Sequence, residues 1–206
     1  VLTPDLLLHA YRSGFFPMAD PDDGHRIGWY APTRRGILPL ERFHVPRSLA
    51  RTVQQGRFAV TTDRAFEAVI RACAAPMPGR EDTWISEEIV EAYTELHRLG
   101  YAHSVECWDG EALVGGLYGV ALGGAFFGES MFHRARDASK VALVHLVARL
   151  RAGGFALLDV QMQTAHLAQF GVVEVRRDAY ERRLALALAV RADWHAFDQK
   201  AAPSGG

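Results

Sequence analysis

Residues 103–132 read HSVECWDGEALVGGLYGVALGGAFFGESMF, and this pattern decides the fold. Three β-prone runs, about His103 to Trp108, Ala112 to Leu122 and Ala125 to Phe132, are separated by Asp109-Gly110 and Gly123-Gly124. Such dipeptides supply the positive φ that tight hairpin turns need, so the runs predict three consecutive antiparallel strands. The last run carries a carboxylate, Glu129, where a purely structural strand would place another apolar residue. One helix further on, Phe155 to Val160 is an apolar strand whose end presents Asp159 and Gln161 on one face, because strand side chains alternate. Two strands of one sheet joined through a helix can bring Glu129, Asp159 and Gln161 together, a set able to hold an amine nucleophile beside a carbonyl. The plainer alternative is that both carboxylates end strands at the surface.

Upstream, Phe58 to Thr62 predicts a short strand, Asp63 the N-cap of an apolar-periodic helix over Ala65 to Ala74, and Ser86 the cap of a helix ending near Leu99. Downstream come a helix from about Ala138 to Ala152, the strand Ala156 to Val160, a short helix Ala165 to Phe170, the strand Val172 to Arg176 and a helix Ala179 to Ala189. Strand, two helices, three antiparallel strands, helix, strand, helix, strand is similar to the order of the GNAT acetyltransferase fold. That fold is α/β (α+β): a mixed, largely antiparallel sheet flanked by helices, with a groove between splayed central strands for an acyl donor and an amine. On this reading residues 58–206 form the GNAT-like domain and residues 1–57 a small N-terminal accessory domain, its boundary falling somewhere in 36–57. The N-terminal part holds a helix over Leu6 to Gly14, an aromatic-rich loop from Phe15 to Pro32, and a basic helix starting at Pro46 with Arg47 and Arg51 on one face. Aromatics in such a loop either cover a core edge or offer stacking platforms for bases. The tail 201–206 has the composition of disorder.

A 206-residue chain with 49% hydrophobic residues and no apolar run near the ~18 needed to cross a bilayer reads as a soluble cytoplasmic protein. Cys73 and Cys107 form neither a disulfide framework nor a metal spacing, and the nine histidines are scattered, so no metal is expected. The net charge of −1 hides segregation. Arg34 to Arg80 holds nine arginines against three acids, whereas Glu81 to Ser130 holds ten acids and one base. A basic patch is what RNA would meet first, unless these are merely solvated helix faces.

An acetyl-CoA enzyme of GNAT type carries a glycine-rich loop where the fourth strand meets the next helix, so that backbone N–H groups reach the pyrophosphate. Here that junction, His133 to Lys140, has no glycine, which points to another kind of acyl donor.

Several spaced segments together resemble the bacterial leucyl/phenylalanyl-tRNA–protein transferases. They are Tyr11-Arg-x-Gly-x-Phe16-Pro17, Trp29-Tyr-Ala-Pro32, Thr83-Trp84-Ile85, Val90-Glu91-Ala92-Tyr93, Ala102 to Glu106, Gly115-Gly116-x-Tyr118-Gly119, Gly128 to Phe132, Ala138-Ser139-Lys140 and Leu158-Asp159-x-Gln161. The resemblance implies transfer of leucine or phenylalanine, with methionine a third candidate, from charged tRNA to the α-amine of proteins beginning with Arg or Lys, creating an N-degron. No cofactor is implied. It further implies that Asp159 and Gln161 serve the attacking amine and that Glu129 lies near the acceptor and the donor's 3′ end. Leu117, Met131, Leu143 and Leu158 would receive the amino acid, though the same residues also read as ordinary core. Trp29 would stack on the terminal adenosine, Trp84 and Tyr93 would wall the groove, and Arg47 and Arg51 would meet tRNA phosphates. The chain departs from the family at Met18, where an aromatic is common, and at Tyr30, where a second Trp is common. The rival readings are a CoA-dependent N-acetyltransferase and a non-enzymatic RNA-binding protein.

Overall fold

Thr3 opens the first helix: its hydroxyl accepts the Leu6 N–H and Pro4 follows at the first helical position, where no N–H is needed. In the computed structural model, which describes residues 1–23, 26–79 and 81–201, this helix is α1 (Pro4–Arg12). An antiparallel hairpin of β1 (Phe16–Ala19) and β2 (Ile27–Tyr30) follows, then β3 (Arg34–Ile37) and α2 (Arg47–Gln54). β4 (Ala59–Thr62), α3 (Phe66–Ala74) and α4 (Glu87–Arg98) lead into the hairpin-linked β5 (Ala102–Asp109), β6 (Ala112–Leu122) and β7 (Ala125–His133). α5 (Ala138–Ala152) crosses back to β8 (Leu157–Gln161), after which come α6 (Ala165–Ala168), β9 (Val173–Arg176), α7 (Arg177–Leu188) and α8 (Ala196–Ala201).

The large sheet has the strand order β4-β5-β6-β7-β8-β3-β9. Neighbours are antiparallel except β7 and β8, the pair that needs a crossover, which α5 supplies. This is the GNAT-like arrangement that the element order implied. Side-chain alternation builds two cores. Tyr118 and Phe127 face the side covered by α1, α3, α4 and α7, while Leu117 and Phe126 face α5 and α2. Gly115 lets α5 start hard against β6, since a Cβ there would meet the Ala138 Cβ at 2.5 Å.

Three features depart from the sequence pattern. The segment read as an aromatic loop contains β1 and β2, four residues each. β3 lies between β8 and β9, so residues 34–37 belong to the large sheet, whereas α1 packs on α4 and α7. Asp63 does not cap α3. It adopts a left-handed φ of 58°, and its carboxylate accepts the Ser104 N–H at 3.0 Å, His103 Nδ1 at 2.8 Å and Trp194 Nε1 at 3.0 Å. Burial alone would raise that carboxyl, but His103, the Ser104 N–H and nearby His97 hold it below its usual range. The buried Glu106 instead receives the Ala65 N–H at the start of α3. Residues 202–206 of the tail, and Arg80, lie outside the described residues.

Candidate active site

β7 and β8 pair at Ala125↔Leu157, Phe126↔Leu158 and Phe127↔Asp159, and there the pairing stops, although β7 runs on to His133 and β8 to Gln161. A cavity of about 340 Å³ fills the gap. Its walls come from both faces of the sheet. Met18, Trp84 and Tyr118 contribute from the α3/α4 side, and Leu117, Met131, Leu143, Leu146 and Leu158 from the α5 side. Glu129 and Gln161 stand where the strands part.

Glu129 is held by two donors: Tyr11 Oη at 2.5 Å from Oε1 and Gln161 Nε2 at 3.1 Å from Oε2. Tyr11 shares a short hydrogen bond with the Tyr93 hydroxyl behind it. Burial pushes the Glu129 carboxyl up to about 7, against the opposing pull of those two donors. The same burial, reinforced by the charge of Glu129, pushes both phenols well above their usual range, so they stay protonated. The buried Tyr118 hydroxyl has no hydrogen-bond partner among the described residues.

Gln161 adopts φ 68°, a left-handed conformation unusual for a residue with a side chain. Gln161 is the last residue of β8, and this turn conformation, not strand alternation, sets the direction of its side chain. Asp159 lies behind it with no exposed surface. Arg35 Nη2 and Nε reach its Oδ2 at 2.7 and 3.1 Å, Tyr180 Oη donates to Oδ2 at 2.6 Å, and the Gln161 N–H donates to Oδ1 at 2.7 Å. Arg35 is 2% exposed, lies over the rings of Phe16 and Tyr180 at 4.7 and 4.4 Å, and donates from Nη1 to the Gly14 carbonyl at 2.8 Å. Removing one member of such a pair strands a buried charge, at a cost of about 3–5 kcal/mol.

The structure thus brings together seven of the residues singled out from the sequence: Glu129, Gln161, Trp84, Leu117, Met131, Leu143 and Leu158. Five others stand elsewhere. Asp159 sits one layer back because four hydrogen-bond donors enclose its carboxylate. Tyr93 does not wall the groove; it is wholly buried behind it, hydrogen-bonded to the Tyr11 hydroxyl and edge-on to the Tyr118 ring. Trp29 lies 37% exposed on β2, opposite Pro17, while Met18 lines the cavity. Arg47 and Arg51 are exposed on α2, which packs against α5. Arg35 and Tyr180 were not legible as site residues: an Arg-Arg pair and a tyrosine in an arginine-rich segment carry the signature of a solvated surface.

The start of α5 is unlike a pyrophosphate cradle. Asp137, at φ 67°, puts a carboxylate there, paired with Lys140 at 3.3 Å, and a negative group opposes a phosphate at a helix N-terminus. Among the described residues no cluster of His, Cys, Asp or Glu is placed to hold a metal ion, and no helix is long and apolar enough to cross a membrane.

A mixed sheet parted over an apolar cavity, with a carboxyl and an amide at the parting, is an arrangement suited to acyl transfer. The family model described as leucyl/phenylalanyl-tRNA protein transferase matches residues 37–185, and the model of that family's N-terminal domain matches residues 1–33. The chain belongs to the leucyl/phenylalanyl-tRNA–protein transferase family. A relative of that name from Phenylobacterium zucineum is 62% identical over 198 residues, covering 96% of this chain and 89% of its own. One from Paramagnetospirillum magneticum is 60% identical over 200 residues, covering 97% and 94%. Among solved structures, L-PGS from Bacillus licheniformis aligns with a TM-score of 0.42 at 12% identity, over 88% of this chain and 62% of that one.

Proposed function

We propose that the protein moves leucine or phenylalanine from charged tRNA to the N-terminal α-amine of proteins beginning with Arg or Lys, and that methionine is a further donor. The observation that carries this reading is the cavity at the parting of β7 and β8, apolar at its Leu143–Leu158 end and polar at Glu129 and Gln161. A wall that includes a flexible Met suits several apolar side chains and separates them weakly.

The ester of an aminoacyl-tRNA is already activated, so alignment is the main task left to the enzyme. The amine attacks the ester carbonyl, the C–N bond forms, the C–O bond to the terminal ribose breaks, and the proton lost by nitrogen ends on the departing oxygen. Gln161 donates to Glu129 through Nε2, which leaves Oε1 to accept a hydrogen bond from the attacking amine. Glu129, poised near neutrality, takes the extra proton of the arriving ammonium. Asp159 acts from behind by holding Gln161. Trp29 serves the terminal adenosine, Trp84 walls the groove, Tyr93 steadies Tyr11 and through it Glu129, and Arg47 and Arg51 meet tRNA phosphates. In this reading α1 and the β1–β2 hairpin form the accessory unit that brings Met18 over the groove. The remainder, β3 included, is the aminoacyltransferase domain. The reaction belongs in the cytoplasm, where charged tRNA is found.

Labelled leucine supplied as Leu-tRNA should appear on peptides that begin with Arg or Lys, without ATP or added metal. A requirement for ATP, or efficient acetylation from acetyl-CoA in its place, overturns the reading.

A further inference from the structure

Gln161 is the centre of a very tight turn. The Met162 N–H donates to the Val160 carbonyl at 2.8 Å, two residues back, and φ at Gln161 is 68°. These are the marks of the rare, strained form of the γ-turn, which persists only where its surroundings impose it. Two independent contacts impose it here. From one side the Asp159 carboxylate accepts the Gln161 N–H, and that carboxylate is itself fixed by Arg35 and Tyr180. From the other, the turn lies directly on Gly36, the residue opposite Gln161 in β3: a Cβ there would come within 2.6 Å of the Met162 carbonyl carbon and 2.9 Å of the Gln163 nitrogen.

We infer that Arg35, Tyr180 and Gly36 are positioning residues for the transfer reaction: they hold Gln161 in its strained turn and so aim its amide at Glu129 and the groove. None of the three lines the cavity. Arg35 and Tyr180 act through the Asp159 carboxylate, and Gly36 through the backbone of Met162 and Gln163. The inference rests on the proposed role of Gln161 and extends it to the residues that set its geometry.

Replacing Arg35 would strand the Asp159 charge and endanger folding, so the test uses Tyr180→Phe and Gly36→Ala. Both are compared with the parent, with Gln161→Ala, and with each combined with Gln161→Ala, in leucine transfer to an Arg-initiated peptide. Tyr180→Phe removes one hydrogen bond at nearly constant shape, and Gly36→Ala presses on the turn. Each should lower kcat by roughly tenfold to a hundredfold, the scale of a small misplacement of a reacting group, with KM for tRNA and peptide little changed. Neither should slow the Gln161→Ala enzyme further, because residues that act through one another are not additive. Penalties that persist undiminished without Gln161, or single variants that melt lower yet turn over like the parent, overturn the inference and leave the role of Gln161 intact. Parental turnover by Gln161→Ala itself overturns both.

Discussion

At the scale of single residues, the group with the most telling environment is Glu129. Burial pushes its carboxyl up to about 7, outweighing two hydrogen-bond donors. As pH rises through 7 the carboxylate form that accepts a proton becomes populated, so kcat/KM for the peptide should climb with a midpoint near 7. Glu129→Gln should slow transfer and remove that limb, leaving only the titration of the peptide amine; a profile that keeps the limb in the variant assigns it to another group. The stability effect has the opposite sense. A carboxyl raised from 4.5 to about 7 on folding binds its proton more tightly when folded, so its stabilising contribution is present below 4.5 and lost as pH rises through 7. Glu129 and Gln161 were legible in the sequence because each is a polar residue where an apolar strand should continue. Arg35 was not, since burial of an arginine depends on a partner 124 residues away. Nor was the cavity role of Met18, one residue past a strand-breaking proline.

At the scale of elements, the hairpins β5–β6–β7 and the helices α4 and α5 could be read directly, since glycine-bearing turns, alternation and Ser86 each leave a local mark. The short β1, β2 and β3 could not. Each spans four residues, β1 contains Pro17, and β3 buries Arg35, Gly36 and Ile37 in a row and so shows no alternation. Their existence depends on partners distant in the chain. α2 poses a different question. It buries Leu49 and leaves Arg47 and Arg51 exposed four residues apart, on the helix that packs against α5. If both meet phosphates, replacing them with alanine should flatten the slope of log affinity for tRNA against log salt by roughly 1–2 units. The choice between Leu and Phe should not change, because phosphate contacts carry no information about the aminoacyl group. An unaltered slope moves the RNA surface elsewhere, with Arg176, Arg177, Arg182 and Arg183 the next group to replace.

At the scale of the whole molecule, the segment after α7 fastens distant parts together. Trp194 stacks on His103 at 4.4 Å and on Phe126 at 5.5 Å, gives its indole N–H to Asp63, and receives Arg149 Nη1 at its carbonyl. Arg149, 2% exposed, is in turn paired with Asp198 at 2.6 Å. Trp194→Ala should therefore cost about 3–5 kcal/mol, the range for emptying a large aromatic site. A chain of this size should then melt roughly 6–20 °C lower. The cavity residues are untouched by the change, so kcat well below the new melting temperature should match the parent; a fall in kcat with unchanged melting would give Trp194 a role in the site. The opening between β7 and β8 has its own consequence during synthesis. Its walls belong to two separate cores, and the turn that aims Gln161 leans on a strand from the N-terminal part of the chain. A nascent polypeptide that has condensed only one layer therefore owns no working catalyst, and the first transfer event certifies that both layers have closed.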